Sequence, residues 1–250
     1  MTPDNVEFRT GVIKGTECVK EAWALIKDQY WLFLGIVFVG VFIGGAVPIV
    51  LIGPMMVGIY LCFFRRMRGE KVEFGDLFKG FDYFAQSLIA ALIQMIPMVI
   101  VMVPMYIIMF VLMMSSMPRS GGQMDPDDAS NFMFKFLGFE LVFVTVIMAV
   151  AIVITVFFMF TFPLIADRNL AGLDAVKLSI KAAKANLSGV LGLILINVGL
   201  GILGVLCCYV GAFLVAPVTL GSYAVAYRRV FPEGGQAFAS PPPPPNNWAA

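Results

Sequence analysis

Few residues in this chain are equipped for chemistry. Histidine is absent from all 250 positions, which removes histidine-based triads, imidazole general bases and mixed zinc sites. Of four cysteines, Cys62, Cys207 and Cys208 lie in apolar segments without zinc-like spacing and read as small buried hydrophobes. Glycine pairs such as Gly199-Leu-Gly201 sit in apolar sequence with no phosphate-binding lysine and no preceding strand, so they are not nucleotide loops. No catalytic, cofactor-binding or metal-binding residue is assigned, and enzymatic activity is not expected.

The candidate functional polar residues are therefore Glu140, Gln94 and Asn197. Glu140 is the acidic residue set deepest in a long apolar run, and ionisable groups within membrane spans usually meet a partner or a cavity. About eight residues separate it from the polar segment before it, which places it about 12 Å in at 1.5 Å per residue. Two placements are open: it lines a cavity, with Gln94 or Asn197 nearby, or it sits at the outer boundary among headgroups. Lys135 lies on another part of that helix and can snorkel to the interface. Gln94 and Asn197 fit interhelical hydrogen bonds at least as well as substrate contacts.

These residues need a bilayer around them. Hydrophobic residues make up 60% of the chain and charged residues 13%, against about 45–50% and about 25% in soluble domains. The uncharged runs Ser87–Met117 and Leu141–Ala166 exceed the roughly 20 residues that cross a bilayer. The expected fold is all-α: a polytopic helical membrane protein of about six spans. No cleaved leader is read in the polar start of the chain. The net charge of +1 points to no nucleic-acid partner and to no acidic ligand.

Two distant stretches share a design. Pro54, Gly58, Tyr60, Arg65 and Arg66 match Pro217, Gly221, Tyr223, Arg228 and Arg229, at an offset of 163 residues. Upstream, Val19, Lys20, Lys27, Leu34 and Gly35 match Val176, Lys177, Lys184, Leu191 and Gly192, at an offset of 157. The pattern reads as an internal repeat of amphipathic helix plus helical hairpin, over about 16–66 and 173–229. Each amphipathic helix, Thr16–Asp28 and Leu173–Asn186, is expected to lie along the interface. In the first, Val19, Ala22, Trp23 and Ile26 form the apolar stripe; in the second, Val176, Ile180, Ala183 and Leu187 do. Pro54 and Pro217 are expected to begin helices, where the missing donor is harmless. Each arginine pair is expected to reach the headgroups.

Charge then orders the spans. Basic stretches flank 30–64 on both sides, so that segment is expected to leave and return. It turns near Gly44-Gly45 to Pro48 or near Gly53-Pro54, as a full hairpin or as a kinked or re-entrant segment. The later hairpin turns around Cys208–Gly211. Glu73–Phe84 is an aromatic-rich interfacial turn or short helix, followed by central spans at about 84–114 and 132–166. Pro97 and Pro104 kink the first of these. Ser115–Asn131 is the exterior loop. The single membrane domain covers 1–231, and 232–250, with its run Pro241–Pro245, forms a disordered proline-rich tail.

Gly53-Pro54 with Gly58, then Arg68-Gly69-Glu70, then Asp76-Leu77-Phe78-Lys79-Gly80-Phe81, carries a resemblance. So do Ala175-Val176-Lys177-Leu178-Ser179, Asn186 and Pro217. The chain resembles prokaryotic integral membrane families of unknown function, themselves loosely similar to the membrane domain fused to some glycerophosphodiester phosphodiesterases. The resemblance covers roughly Val19 to Phe231. It implies about six helices in a prokaryotic plasma (inner) membrane, with both termini cytoplasmic on the charge pattern, and it implies no activity. The metal-binding carboxylates and histidines of the phosphodiesterase domain have no counterpart in this chain.

Two functions fit these observations. One is a non-catalytic accessory, assembly or scaffold component, with membrane lipids and another membrane or cytoplasmic protein as partners. The alternative is a small transporter or lipid-handling protein with a site between the two repeats.

Overall fold

Prolines, glycines and a serine decide where the helices of this chain start, stop and touch. The computed structural model describes residues 7–115, 126–206 and 210–232. The described residues form nine α-helices and no strand: α1 Gly15–Ile26, α2 Tyr30–Ala46, α3 Pro48–Met67, α4 Phe84–Ser115, α5 Pro126–Phe158, α6 Thr161–Arg168, α7 Gly172–Ala185, α8 Leu187–Leu206 and α9 Val210–Val230. Six helical stretches among them are long and apolar enough to cross a membrane, so the protein is a polytopic all-α membrane protein.

The first hairpin closes between Ala46 and Pro48, the earlier of the two turns allowed by the sequence. Pro48 occupies the first turn of α3, where its fixed φ favours initiation. Pro54 and Pro217 do not begin helices; both lie inside them, in α3 and α9. An interior proline leaves the preceding turn short of a donor and opens it. In α9 the Tyr30 hydroxyl donates to the Leu214 carbonyl in that turn, at 2.6 Å. The turn of the later hairpin falls partly at 207–209, outside the described residues.

The central spans differ from their expected bounds at one end. α4 follows 84–114 closely, but the second span is two helices, α5 and α6, separated at Met159–Phe160. Pro163 in the first turn of α6 carries no N–H. Ser179 of α7 serves the groups left over: its hydroxyl donates to Phe157 O at 2.7 Å and accepts from Phe160 N at 3.3 Å. α5 also starts at Pro126, so the last six residues of the expected exterior loop are helical. Residues 116–125 and the tail beyond 232 lie outside the described residues.

The segment after α3 is a 3-10 helix, Phe74–Tyr83, and it packs along α3 as a wedge. Close approach requires glycine on both sides. A Cβ at Gly58 would overlap the Leu77 carbonyl, and one at Gly80 would overlap Pro54 O. The amphipathic helices also pack more deeply than surface helices would. α1 buries Cys18, Ala22 and Ile26 against α9 and α8, while Trp23 turns outward, 49% exposed. α7 buries seven of its residues, Gly172 through Ala183, against α4, α5 and α6. Its buried face holds Val176 and Ala183, as the stripe requires, but Leu187 is exposed.

α4 and α5 are the longest elements, at 32 and 33 residues, or about 48–50 Å. α4 buries only Ser87, Ala90 and Ala91. Beyond them its exposed side chains are apolar, Ile96, Val99, Ile100, Val103 and onward, a surface suited to lipid.

Candidate functional site at the basic end of the bundle

Arg65-Arg66 and Arg228-Arg229 occupy the last turns of α3 and α9, where positive charge offsets the carbonyl end of the helix dipole. Each arginine is bound by the protein. Arg65 pairs with Asp76, whose other partners are the Lys79 ammonium at 2.8 Å and the Glu73 N–H at 2.9 Å. Arg228 pairs with Asp167 at 2.8 Å, and Asp167 also accepts from Tyr227 Oη at 2.8 Å and Arg168 Nε at 3.0 Å. Arg66 donates to Leu25 O at 3.0 Å and reaches Asp28 at 3.4 Å. Arg229 bridges Glu17 at 3.0 Å and Glu21 at 2.5 Å. The second arginine of each pair therefore reaches α1 or its end, and the first ties down an aspartate of low exposure.

Beside this framework, Glu70 accepts from Arg68 and Arg65, and the Arg68 hydrogen bond holds its carboxyl below the usual carboxylate range. α3 and α9 meet through rings: Phe64 and Tyr227 have centroids 5.3 Å apart, and the Arg228 guanidinium lies 4.4 Å from the Phe64 centroid. Such a contact adds about 0.5–2 kcal/mol depending on desolvation.

The segment before α1 completes the end of the bundle. Asn186, 3% exposed, receives the Gly11 N–H on Oδ1 at 2.7 Å and donates from Nδ2 to Arg9 O at 3.0 Å. Arg9 N–H donates to Val230 O at 2.9 Å. Gly11 has φ +71°, which only glycine adopts without strain, and this lets the chain double back onto Asn186. Between this segment, α1, the end of α3 and the end of α9 lies a cavity of about 760 Å³.

The three polar candidates are not joined. Asn197 is buried, and its Nδ2 donates to Ser222 Oγ on α9 at 2.9 Å, while its Oδ1 has no partner. Gln94 is half-buried on α4 and Glu140 is exposed on α5. Among the described residues neither takes part in a hydrogen bond or ion pair. The residues matched between the two stretches have different neighbours: a Cβ at Gly58 would meet Leu77 of the 3-10 segment, one at Gly221 would meet Phe63 and Ala22, and the arginines form the framework above. Both arginine pairs are engaged by carboxylates and backbone rather than left to headgroups.

Sequence reasoning missed Asp76, Asp167, Glu17 and Glu21 as the partners of these arginines. The available signal was that the acidic residues of α1 and of the turns flanking the spans balance the arginine pairs in charge. It also missed Arg9, for which local sequence carries no signal, because its position depends on an asparagine 177 residues away. No three His, Cys, Asp or Glu side chains gather as a metal site among the described residues. No family model, no curated protein and no solved structure matches this chain.

Proposed function

We propose that this chain is a non-catalytic component of a prokaryotic plasma membrane, an accessory, assembly or scaffold protein with both termini on the cytoplasmic side. The ion-pair framework carries the reading. Arg65, Arg66, Arg228 and Arg229 all hold element to element, so these charges tie the ends of the helices together. The exposed apolar lengths of α4 and α5 offer a broad surface for lipid or for another membrane protein.

An internal repeat is part of this proposal. In both units a short amphipathic helix precedes a span, and a second span carries an interior proline, a closely packed glycine and a terminal arginine pair. The partners differ: Gly58 receives the 3-10 segment, whereas Gly221 receives α1 and Phe63. A duplicated unit whose copies have taken different neighbours accounts for both facts.

One observation favours the alternative, a lipid-handling protein or small transporter. The cavity of about 760 Å³ is lined by α1 and α3 of the first unit and α9 of the second. The two readings separate in reconstituted vesicles. A scaffold is expected to leave lipid scrambling and solute flux at the level of empty vesicles, and to cross-link in native membranes to one recurrent protein in fixed ratio. Flux above the empty-vesicle level that Arg229→Gln abolishes would replace the scaffold reading with the alternative.

A further inference from the structure

We propose that the cavity at the basic end is a binding site for the phosphate group of an anionic phosphate ester carrying an apolar portion, the chemistry of an anionic glycerophospholipid. Its volume of about 760 Å³ falls within the roughly 300–1,000 Å³ of small-ligand sites. Four cations line it, Arg9, Lys14, Arg228 and Arg229, against two carboxylates, Glu17 and Glu21. Both carboxylates are already satisfied, Glu17 by Lys14 at 3.2 Å and Arg229, and Glu21 by Arg229. Arg228 is held by Asp167 outside the lining, so the lining keeps an excess of one positive charge, that of Arg9.

Arg9 is the cation best placed to receive an anion. Its backbone is fixed on both sides, N–H to Val230 O and carbonyl to Asn186 Nδ2. Its side chain is free of ion pairs among the described residues, and it lines the cavity. A guanidinium whose backbone is already ordered loses less freedom on binding, and it matches phosphate oxygens with two parallel donors. Lys14 adds a charge held only by an exposed pair with Glu17, an interaction of small net value. The rest of the lining, Val12, Leu25, Met67 and Val225, is apolar and suits a glycerol backbone and the start of its chains. A basic pocket between helices at a membrane face is a recurrent headgroup site. The inference holds whether the chain is a scaffold or a lipid handler, because it needs occupancy and no transport.

The test is an apparent Tm titration of the purified full chain in neutral detergent, with dioleoylphosphatidylglycerol as probe and dioleoylphosphatidylcholine as the zwitterionic comparison. A second arm uses glycerol 3-phosphate and inorganic phosphate. Phosphatidylglycerol should raise Tm saturably and phosphatidylcholine should not. Arg9→Gln should raise the half-saturating lipid fraction about fivefold, the loss expected for one basic contact, and Lys14→Gln should raise it in the same direction. Lys71→Gln, at a lysine that does not line the cavity and pairs with Glu73, should leave it unchanged. Saturation by glycerol 3-phosphate or inorganic phosphate with no response to phosphatidylglycerol would overturn the lipid ligand, since neither probe carries an apolar portion. Equal responses to the two lipids, or equal effects of Lys71→Gln and Arg9→Gln, would overturn the site. If Arg9→Gln does not fold, Lys14→Gln decides alone, since Lys14 bonds only the exposed Glu17. None of these outcomes bears on the scaffold reading, which rests on flux and cross-linking.

Discussion

Arg228 on α9 and Asp167 on α6 stand 2.8 Å apart with side chains only 14% and 11% exposed. Asp167 is held by three donors, Arg228 on one oxygen and Tyr227 and Arg168 on the other. Losing one member of such a pair leaves the other charged and desolvated, at about 3–5 kcal/mol. Asp167→Asn should therefore lower thermal stability in detergent by several degrees. Asp167→Asn combined with Arg228→Met should recover much of the loss, because it removes the stranded charge as well. A single variant as stable as the parent would show that the pair does not hold α6 to α9.

Gly58 sets a second expectation. A methyl group there collides with the Leu77 carbonyl, a backbone atom that cannot swing away, so Gly58→Ala must push the 3-10 wedge off α3. Overpacking of this kind costs about 1–3 kcal/mol. Gly221→Ala should cost less, since its Cβ would lie 3.0 Å from a Phe63 ring carbon and 3.2 Å from Ala22 Cβ, and a ring can shift. Gly45→Ala meets nothing within 4 Å and should be neutral. Unfolding of the three variants in one detergent gives the order; a Gly58 variant no worse than the Gly45 variant would remove the wedge.

The helical membrane class and the number of spans were legible because they rest on composition and run length, which act locally. Charge suggested that 30–64 turns back, but left two turn positions open, of which the structure takes the one ending at Pro48. What failed involved partners remote in sequence. Nothing local to 132–166 announces a break at Met159–Phe160, since Ser179 of α7 is what makes the break tolerable. Pro54 looked like a helix start because a missing donor is cheapest there, yet Pro48 had already taken that position. The charge sum is silent in another way. A net +1 averages over the chain and does not report a cavity lined by four cations and two carboxylates, assembled from three stretches remote in sequence.

The orientation proposed from the basic stretches can be measured. With Cys207 and Cys208 replaced by serine, the remaining Cys18 and Cys62 are buried. Lys71→Cys should then react with a membrane-impermeant maleimide only after permeabilisation, and Ser120→Cys should react in intact cells. Labelling of both from outside would show that the first hairpin does not return to the side where it began. Labelling of Lys71→Cys alone from outside would invert the proposed topology and set the basic stretches on the outer side, against the usual bias.

Glu140 and Asn197 separate an exposed carboxyl from a buried amide. Glu140 is exposed on α5 with no partner among the described residues, so Glu140→Gln removes no contact within the protein and should leave detergent stability unchanged, within about 0.5 kcal/mol. Asn197 is 5% exposed and bonded to Ser222, yet its replacement should also be mild. Ser222 keeps its own donation to Thr219 O at 2.7 Å, and the Asn197 Oδ1 that has no partner disappears with the amide. Polar contacts between membrane helices average about 0.6 kcal/mol, so Asn197→Leu should fall within that amount of the parent, on either side. A loss of several kcal/mol would mean that Oδ1 is served by an ordered water or a ligand, and that the midsection between α8 and α9 is a binding site. A change in partner cross-linking or lipid flux on Glu140→Gln, at unchanged stability, would restore Glu140 as a functional residue acting on something outside the chain.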